Sequence, residues 1–236
     1  MKRSLLYLSF FLFPLFCYAQ MNSSFDFIGG IDYGYRNLSA PSESSSVTFR
    51  DDNELGKINY RIGLNLNQKI TEKIFFKTGV RFVITGYKER KMDFPGVDVI
   101  SDINTPVFPG GEGQIFRNFS FIELPIIVRY EFSKKKFTPF MELGVSPALY
   151  LSNRIKFITE INPGIFNSKG KDNRDFSTLH LVSVVSFGGN YFINEKLQLF
   201  AQPTFRYHFT RLIEESTIRE NLWSLGLEFG VRKRIN

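Results

Sequence analysis

Residues 119–151 read FSFIELPIIVRYEFSKKKFTPFMELGVSPALYL, and the fold is decided there. The first arm puts Leu124, Ile126, Val128, Tyr130 and Phe132 on one side and Glu123, Ile127, Arg129 and Glu131 on the other. A lysine-rich turn, Ser133 to Lys136, follows. The second arm sets Phe137, Met141, Leu143, Val145, Leu149 and Leu151 against Thr138, Phe140, Glu142, Gly144 and Ser146. A two-residue period belongs to an extended strand, whose successive side chains point to opposite faces; a helix repeats every 3.6 residues. The stretch therefore reads as a β-hairpin with one apolar and one polar face.

The same alternation continues outward. It predicts strands at 25–36, 58–70 and 74–87 before the hairpin, and at 177–193, 197–209 and 221–232 after it. Folding 58–70 onto 74–87 brings Leu64 opposite Val80 and Ile62 opposite Phe82. Folding the opening hairpin brings Val128 opposite Met141 and Ile126 opposite Leu143, with Arg129 across from Phe140. Folding 177–193 onto 197–209 pairs Val185 with Phe205 and Ser183 with Tyr207. A slip of one residue would set the faces against each other. Phe119 and Phe121 are out of phase with Leu124, which predicts a β-bulge near Ile122. Pro125, Pro139, Pro147 and Pro203 each remove a ladder donor and are expected at bulges or strand ends.

Eight strands joined by three tight turns (133–136, 71–73, 194–196) and four long loops (37–57, 88–114, 152–176, 210–220) alternate long and tight. All tight turns then fall at one end, with both termini. The expectation is an all-β, eight-stranded antiparallel up-and-down transmembrane β-barrel, with both termini periplasmic and the long loops external. The competing arrangement is a soluble eight-stranded barrel of the lipocalin kind, apolar face inward. The apolar stripe decides for lipid: no strand core carries a charge there, and a midplane charge on a lipid face costs about 2–4 kcal/mol. Aromatic side chains cluster at both strand ends, as in interfacial girdles: Tyr33, Tyr35, Tyr60, Tyr207, Phe209 and Trp223 at the loop end, and Tyr130, Phe132, Tyr191 and Phe229 at the turn end.

Residues 1–19 read as a signal peptide, with 20–236 as the barrel domain. Lys2 and Arg3 precede the apolar run Ser4–Phe16, and Cys17-Tyr18-Ala19 resembles a cleavage site. Phe16 stands where a lipoprotein signal has a small residue, so no lipid anchor on Cys17 is expected. Removing the leader takes two of 30 basic residues and leaves an excess of five over the 23 acidic ones. With an export signal and dispersed lysines, this excess points to anionic headgroups and lipopolysaccharide, not to nucleic acid.

The quoted hairpin also carries a resemblance. FIELPIIVRYEF is similar to the "Y-L-E-I-P-L-L-L-K-Y" strand of the PorT-like outer-membrane β-barrel family of Bacteroidetes. PFMELGVSPALYL resembles that family's following strand, and NLWSLGLEFGVR its closing strand. The resemblance implies outer-membrane location in a Gram-negative bacterium and folding by the outer-membrane assembly machinery.

The polar faces enclose Asp26, Asp32, Arg61, Lys69, Lys77, Arg81, Glu123, Arg129, Glu131, Glu142, Arg206, Glu228 and Arg232. An eight-stranded barrel is just wide enough for side chains to fill, so a packed plug of salt bridges is expected; the rival is a narrow solute path. His180 and His208 are expected to point inward near the external rim, about 7–8 Å apart on a diagonal step. With Glu214, Glu215, Glu220 or Ser224 they form the only candidate for a hydrolytic or two-histidine metal site, yet no G-x-S-x-G or H-E-x-x-H is present. The expected role is non-enzymatic, without cofactor or metal: a monomer whose external loops or periplasmic turns serve adhesion, envelope integrity or protein secretion, in contact with an external or secretion-system partner. A small porin and a rim hydrolase are the alternatives.

Overall fold

The computed structural model describes residues 23–40, 45–94, 111–159, 176–213 and 216–235. The leader with Cys17, the middles of loops 88–114 and 152–176, and Glu214 and Glu215 lie outside the described residues. The elements are β1 (Ser23–Ser39), α1 (Ser45–Asn53), β2 (Glu54–Lys69), β3 (Ile74–Glu89), β4 (Met92–Phe94), β5 (Gly111–Glu123), β6 (Ile126–Glu131), β7 (Phe137–Thr159), β8 (Leu179–Phe192), β9 (Leu197–His208) and β10 (Arg219–Arg234).

The ten strands form one antiparallel sheet. β1 pairs with β2 and β10, β2 with β3, β3 with both β5 and β6, these two with β7, and β7 through β8 and β9 to β10. Followed from β1, the pairings lead back to β1. The expected eight strands become ten because β5 and β6 share the place of one, split at Leu124-Pro125, and β4 is a three-residue strand within the 88–114 loop. A further difference lies at 37–57, which holds the helix α1 and the first residues of β2.

Two expected registers are observed: Leu64↔Val80 and Ile62↔Phe82 in β2–β3, and Val185↔Phe205 and Ser183↔Tyr207 in β8–β9. The opening hairpin differs by two residues. Val128 faces Leu143, Ile126 faces Val145, and Arg129 faces Glu142 instead of Phe140. A shift of two preserves the faces, so alternation alone does not detect it.

The expected phase break at Ile122 is also corrected. Phe119 and Phe121 lie inside with Glu123, in phase with Arg129, and β5 and β6 keep one register against β3 through Arg81↔Glu123 and Thr78↔Ile126. The bulge belongs to β7 instead: Ser120 pairs with Ser152 and Phe121 with Tyr150, leaving Leu151 as the extra residue. Pro125 and Pro147 account for the β5/β6 split, each lacking a donor at the same level of the ladder, where the Leu124 N–H still donates to the Pro147 carbonyl at 2.9 Å. Pro203, by contrast, lies mid-strand, in a gap of the β8–β9 ladder between Ser186↔Thr204 and Gly189↔Ala201. Gly86 (φ +150°) needs its missing side chain, since a Cβ there would collide with the Arg117 carbonyl.

The faces sort as the alternation demands. Leu64, Val80, Val128 and Phe205 are exposed at 58, 51, 50 and 42%, while Arg61, Lys77, Arg129 and Arg206 are buried at 3% or less. In water this would place the greasy set on the surface and the charges in the core, a costly inversion. In a bilayer it is the low-energy arrangement. Leu143, 60% exposed, tests the point. Leu143→Arg is expected to destabilise the protein in lipid vesicles by about 2–4 kcal/mol in urea titration; an unchanged unfolding curve would mean that this face meets water.

Candidate functional site: the enclosed charge network

Sequence reasoning singled out Arg61, Lys77, Arg81, Glu123, Arg129, Glu142, Arg206 and Glu228 as an interior network, and all eight are buried. Lys69 is the one expected interior charge that is not; it lies half-buried at the turn end, 2.5 Å from Glu72. Among the described residues the buried acidic side chains are Asp26, Asp32, Glu54, Glu123, Glu131, Glu142, Glu220 and Glu228. The buried basic ones are Arg36, Lys57, Arg61, Lys77, Arg81, Arg129, Arg206 and Arg232. Eight face eight, so the enclosed set carries no net charge.

Alternate residues of neighbouring strands build the network in levels. Nearest the turn end, Arg232 forks onto Asp26 (Nε–Oδ1 2.7 Å, Nη2–Oδ2 3.0 Å) and reaches Glu131 at 3.5 Å. This two-point geometry suits a planar guanidinium. Above it, Glu142 is the hub: it accepts from Lys77, from Arg129 Nε at 2.6 Å and from Gln202 Nε2 at 3.0 Å. The Arg129 guanidinium also stacks on Phe140, 3.7 Å from the ring centre. Gln202 donates to Glu228 as well, at 3.0 Å, and Glu228 holds Arg61 Nε (3.0 Å) and Arg81 Nη1 (3.3 Å), with Arg61 also on Asp32. Arg206 pairs with Glu123 across the interior.

At the loop end the chemistry changes. Tyr87, Phe119, Phe121, Ala148, Val182, Leu212 and Leu222 form a buried apolar cluster, with Tyr35, Tyr150, Phe176 and Ile213 packed against it. The bulge expected near Ile122 hides this seal from the sequence, since without it Phe119 and Phe121 stay on the enclosed face with Glu123. Over it, Arg36 pairs with both Glu54 and Glu220, and Arg50 of α1 joins them, 2.6 Å from Glu220 and 3.4 Å from Glu54. Burial works against the charge on Arg50, but Glu220 and Glu54 outweigh it and hold its pKa above the usual value. This four-residue clamp fixes the helix across the mouth. Sequence gave no signal for it, because its partners lie as far as 184 residues apart.

His180 and His208 sit beneath the seal rather than at an open rim. Their rings are 5.6 Å apart and both pack on Phe121, at 4.9 and 5.4 Å. His208 pairs with Val182 as expected, and the ladder ends there, short of the expected His180–Thr210 pair. His180 Nε2 lies 3.0 Å from the Ser177 carbonyl, whereas Nδ1 of each histidine lacks a hydrogen-bond partner among the described residues. Of the candidate partners for these histidines, Glu220 is committed to the arginine clamp, Ser224 is buried in β10, and Glu214 and Glu215 lie outside the described residues. No group of three or more potential metal ligands occurs among the described residues.

The two ends also differ in space. At the turn end a polar cup of about 550 Å³ opens between Lys69, Glu72, Glu131, Lys134, Arg232 and Arg234. At the loop end a cleft of about 70 Å³ lies by Arg50, Tyr87, Phe119 and Phe176.

A family model described as an outer membrane protein beta-barrel domain matches residues 18–210. Among solved structures, the chain is similar to Neisserial surface protein A (13% identity, TM-score 0.42, covering 91% of this chain and 97% of that one). It is also similar to the outer membrane enzyme PagL (12%, 0.45, 87% and 97%) and to OprG from Pseudomonas aeruginosa (10%, 0.40, 91% and 95%). No curated protein matches the chain.

The hub makes a sharp test. Glu142→Gln strips the counter-charge from two buried cations and is expected to cost about 3–5 kcal/mol in urea unfolding. Adding Lys77→Met should recover part of that loss; an unaltered Glu142→Gln protein would mean that the network does not hold the interior together.

Proposed function

The chain belongs to the outer membrane protein beta-barrel domain family, and from that premise we propose that it is an eight-stranded up-and-down transmembrane barrel that acts through its surfaces and not through its lumen. β5 and β6 count as one spanning strand, and β4 is an ornament of the second long loop. Both termini are periplasmic, the long loops are external, and the protein is a non-enzymatic monomer. The resemblance of 119–151 and 221–231 to PorT-like sequences supports a place in that branch of Bacteroidetes barrels, after removal of residues 1–19.

One observation carries this reading: an enclosed charge set with as many carboxylates as cations, nearly all in ion pairs, capped by an apolar seal. A solute path needs a continuous polar lumen. Here the interior is polar and filled at mid-height and apolar at the loop end. An ion entering the turn-end cup meets Arg232 already paired with Asp26, then the Glu142 hub. The histidines belong to the same seal, which argues against the rim hydrolase. The remaining roles are contacts made outside the lumen: adhesion, envelope integrity or service to a secretion system.

The purified protein in planar bilayers is expected to give no steady conductance steps, and large, stable channels would contradict the reading. His208→Ala is expected to leave lipase and protease assays at background alongside wild type. A deletion strain should change in envelope sensitivity or in its secreted proteins, with permeability to small solutes unaffected.

A further inference from the structure

Past the loop-end rim the sheet stops unevenly. The β7–β8 ladder ends at Leu149↔Leu179, but β7 runs on to Thr159, paired among the described residues with β5 alone. The ends of β5 and β7 thus extend past β8 as a flap, flanked by the end of β3, which stays paired with β2 as far as Glu54↔Glu89. Its outward face continues the apolar column of Phe82 and Ile84, and its composition changes abruptly. One row across the three strands is Lys88, Phe116 and Lys156; the row nearer the rim is Gly86, Asn118 and Arg154. With strands about 4.8 Å apart and about 3.3 Å per residue, the three cations fall within roughly 12 Å of one another around Phe116. Asn118 Nδ2 donates to the Arg154 carbonyl at 3.4 Å. The nearby carboxylates are engaged elsewhere, Glu89 by Arg117 at 3.2 Å and Glu112 by Lys91 at 3.3 Å. Among the described residues no carboxylate pairs with Lys88, Arg154 or Lys156.

The charge balance points the same way. The enclosed set is neutral, so the excess of five basic residues that remains without the leader resides outside it. On this flap the excess sits beyond the apolar belt, at the depth of lipid headgroups. Guanidinium suits two phosphate oxygens at once, ammonium supplies point charge, and a half-buried phenyl ring offers an apolar rest for the ligand's carbon skeleton. We propose that the outward face of this flap, Lys88, Arg154 and Lys156 around Phe116, is a binding site for the phosphate groups of lipopolysaccharide. The site rests on the proposed orientation, since only the outward-facing leaflet presents that headgroup to the long-loop end.

The test uses the full-length protein in a zwitterionic detergent with fluorescently labelled lipid A as the probe. Saturable binding is expected, weakened tenfold or more in the triple variant Lys88→Gln, Arg154→Gln, Lys156→Gln, and falling as salt rises. A control triple variant at the turn end, Lys73→Gln, Lys135→Gln, Lys233→Gln, should bind as wild type does. Equal binding by the flap variant, equal binding of dephosphorylated lipid A, or equally strong competition by phosphatidylglycerol would each overturn the site. Heat-modifiable gel mobility checks that both variants are folded. An epitope tag in the 95–110 loop, probed on intact cells, reports orientation separately: a surface-exposed tag with unchanged lipid A binding discards the site and keeps the barrel, and a hidden tag discards the orientation.

Discussion

A charge removed from water has to meet a counter-charge, and this requirement organises the whole interior. The strands close on themselves with an uncharged outward stripe, so the charged half of the alternation has nowhere to go but in. There the chain supplies as many enclosed carboxylates as cations and threads them into ion pairs, Lys57 alone of the buried cations resting on an amide oxygen, that of Asn59, among the described residues. Glu142 and Glu228 each serve two cations and share Gln202, which joins the levels into one network. Such pairs add little net stability over a well-packed apolar filling, but each becomes costly once its partner is gone. The network therefore fixes which strands neighbour which more than it deepens the energy well.

The ends of the molecule follow from the same constraint. Where the pairs give out at the loop end, aromatic and aliphatic side chains fill the cross-section, and the two histidines, resting on Phe121, mark the boundary between the two kinds of filling. The arginine–glutamate clamp then ties α1 to the loop ends of β1, β2 and β10. At the turn end a smaller buried apolar cluster, Ile28, Phe140 and Phe200, packs among the ion pairs, and beyond it a polar cup opens. The asymmetry suits a protein whose contacts lie outside its walls.

Much of this is legible from period-two alternation: which residues of the strand cores face out, the mid-height enclosed charges, and two of three hairpin registers. What escaped it has physical reasons. The opening hairpin slipped by two because a two-residue shift is silent in the pattern and the lysine turn gives no length signal. The phase change of Phe119 and Phe121 suggests a bulge because apolar residues on the enclosed face look the same in sequence as those on the outer one. The clamp of Arg36, Arg50, Glu54 and Glu220 depends on contacts between distant segments, to which local pattern is blind. The histidine pair was found, and its inward direction was correct, but its burial under an aromatic lid was not foreseeable without the correct phase of β5.

The central claim is that hydrocarbon, not water, surrounds the apolar stripe. Spin labels on single cysteines at Leu64, Val80, Val128 and Phe205, compared with labels at Asn65, Ser146 and Thr204, measure it directly in reconstituted bilayers. The first set should collide freely with oxygen and scarcely with a water-soluble nickel chelate, and the second set should be shielded from lipid-dissolved oxygen. Nickel collisions dominating at the first four positions would place that face in water and contradict the account.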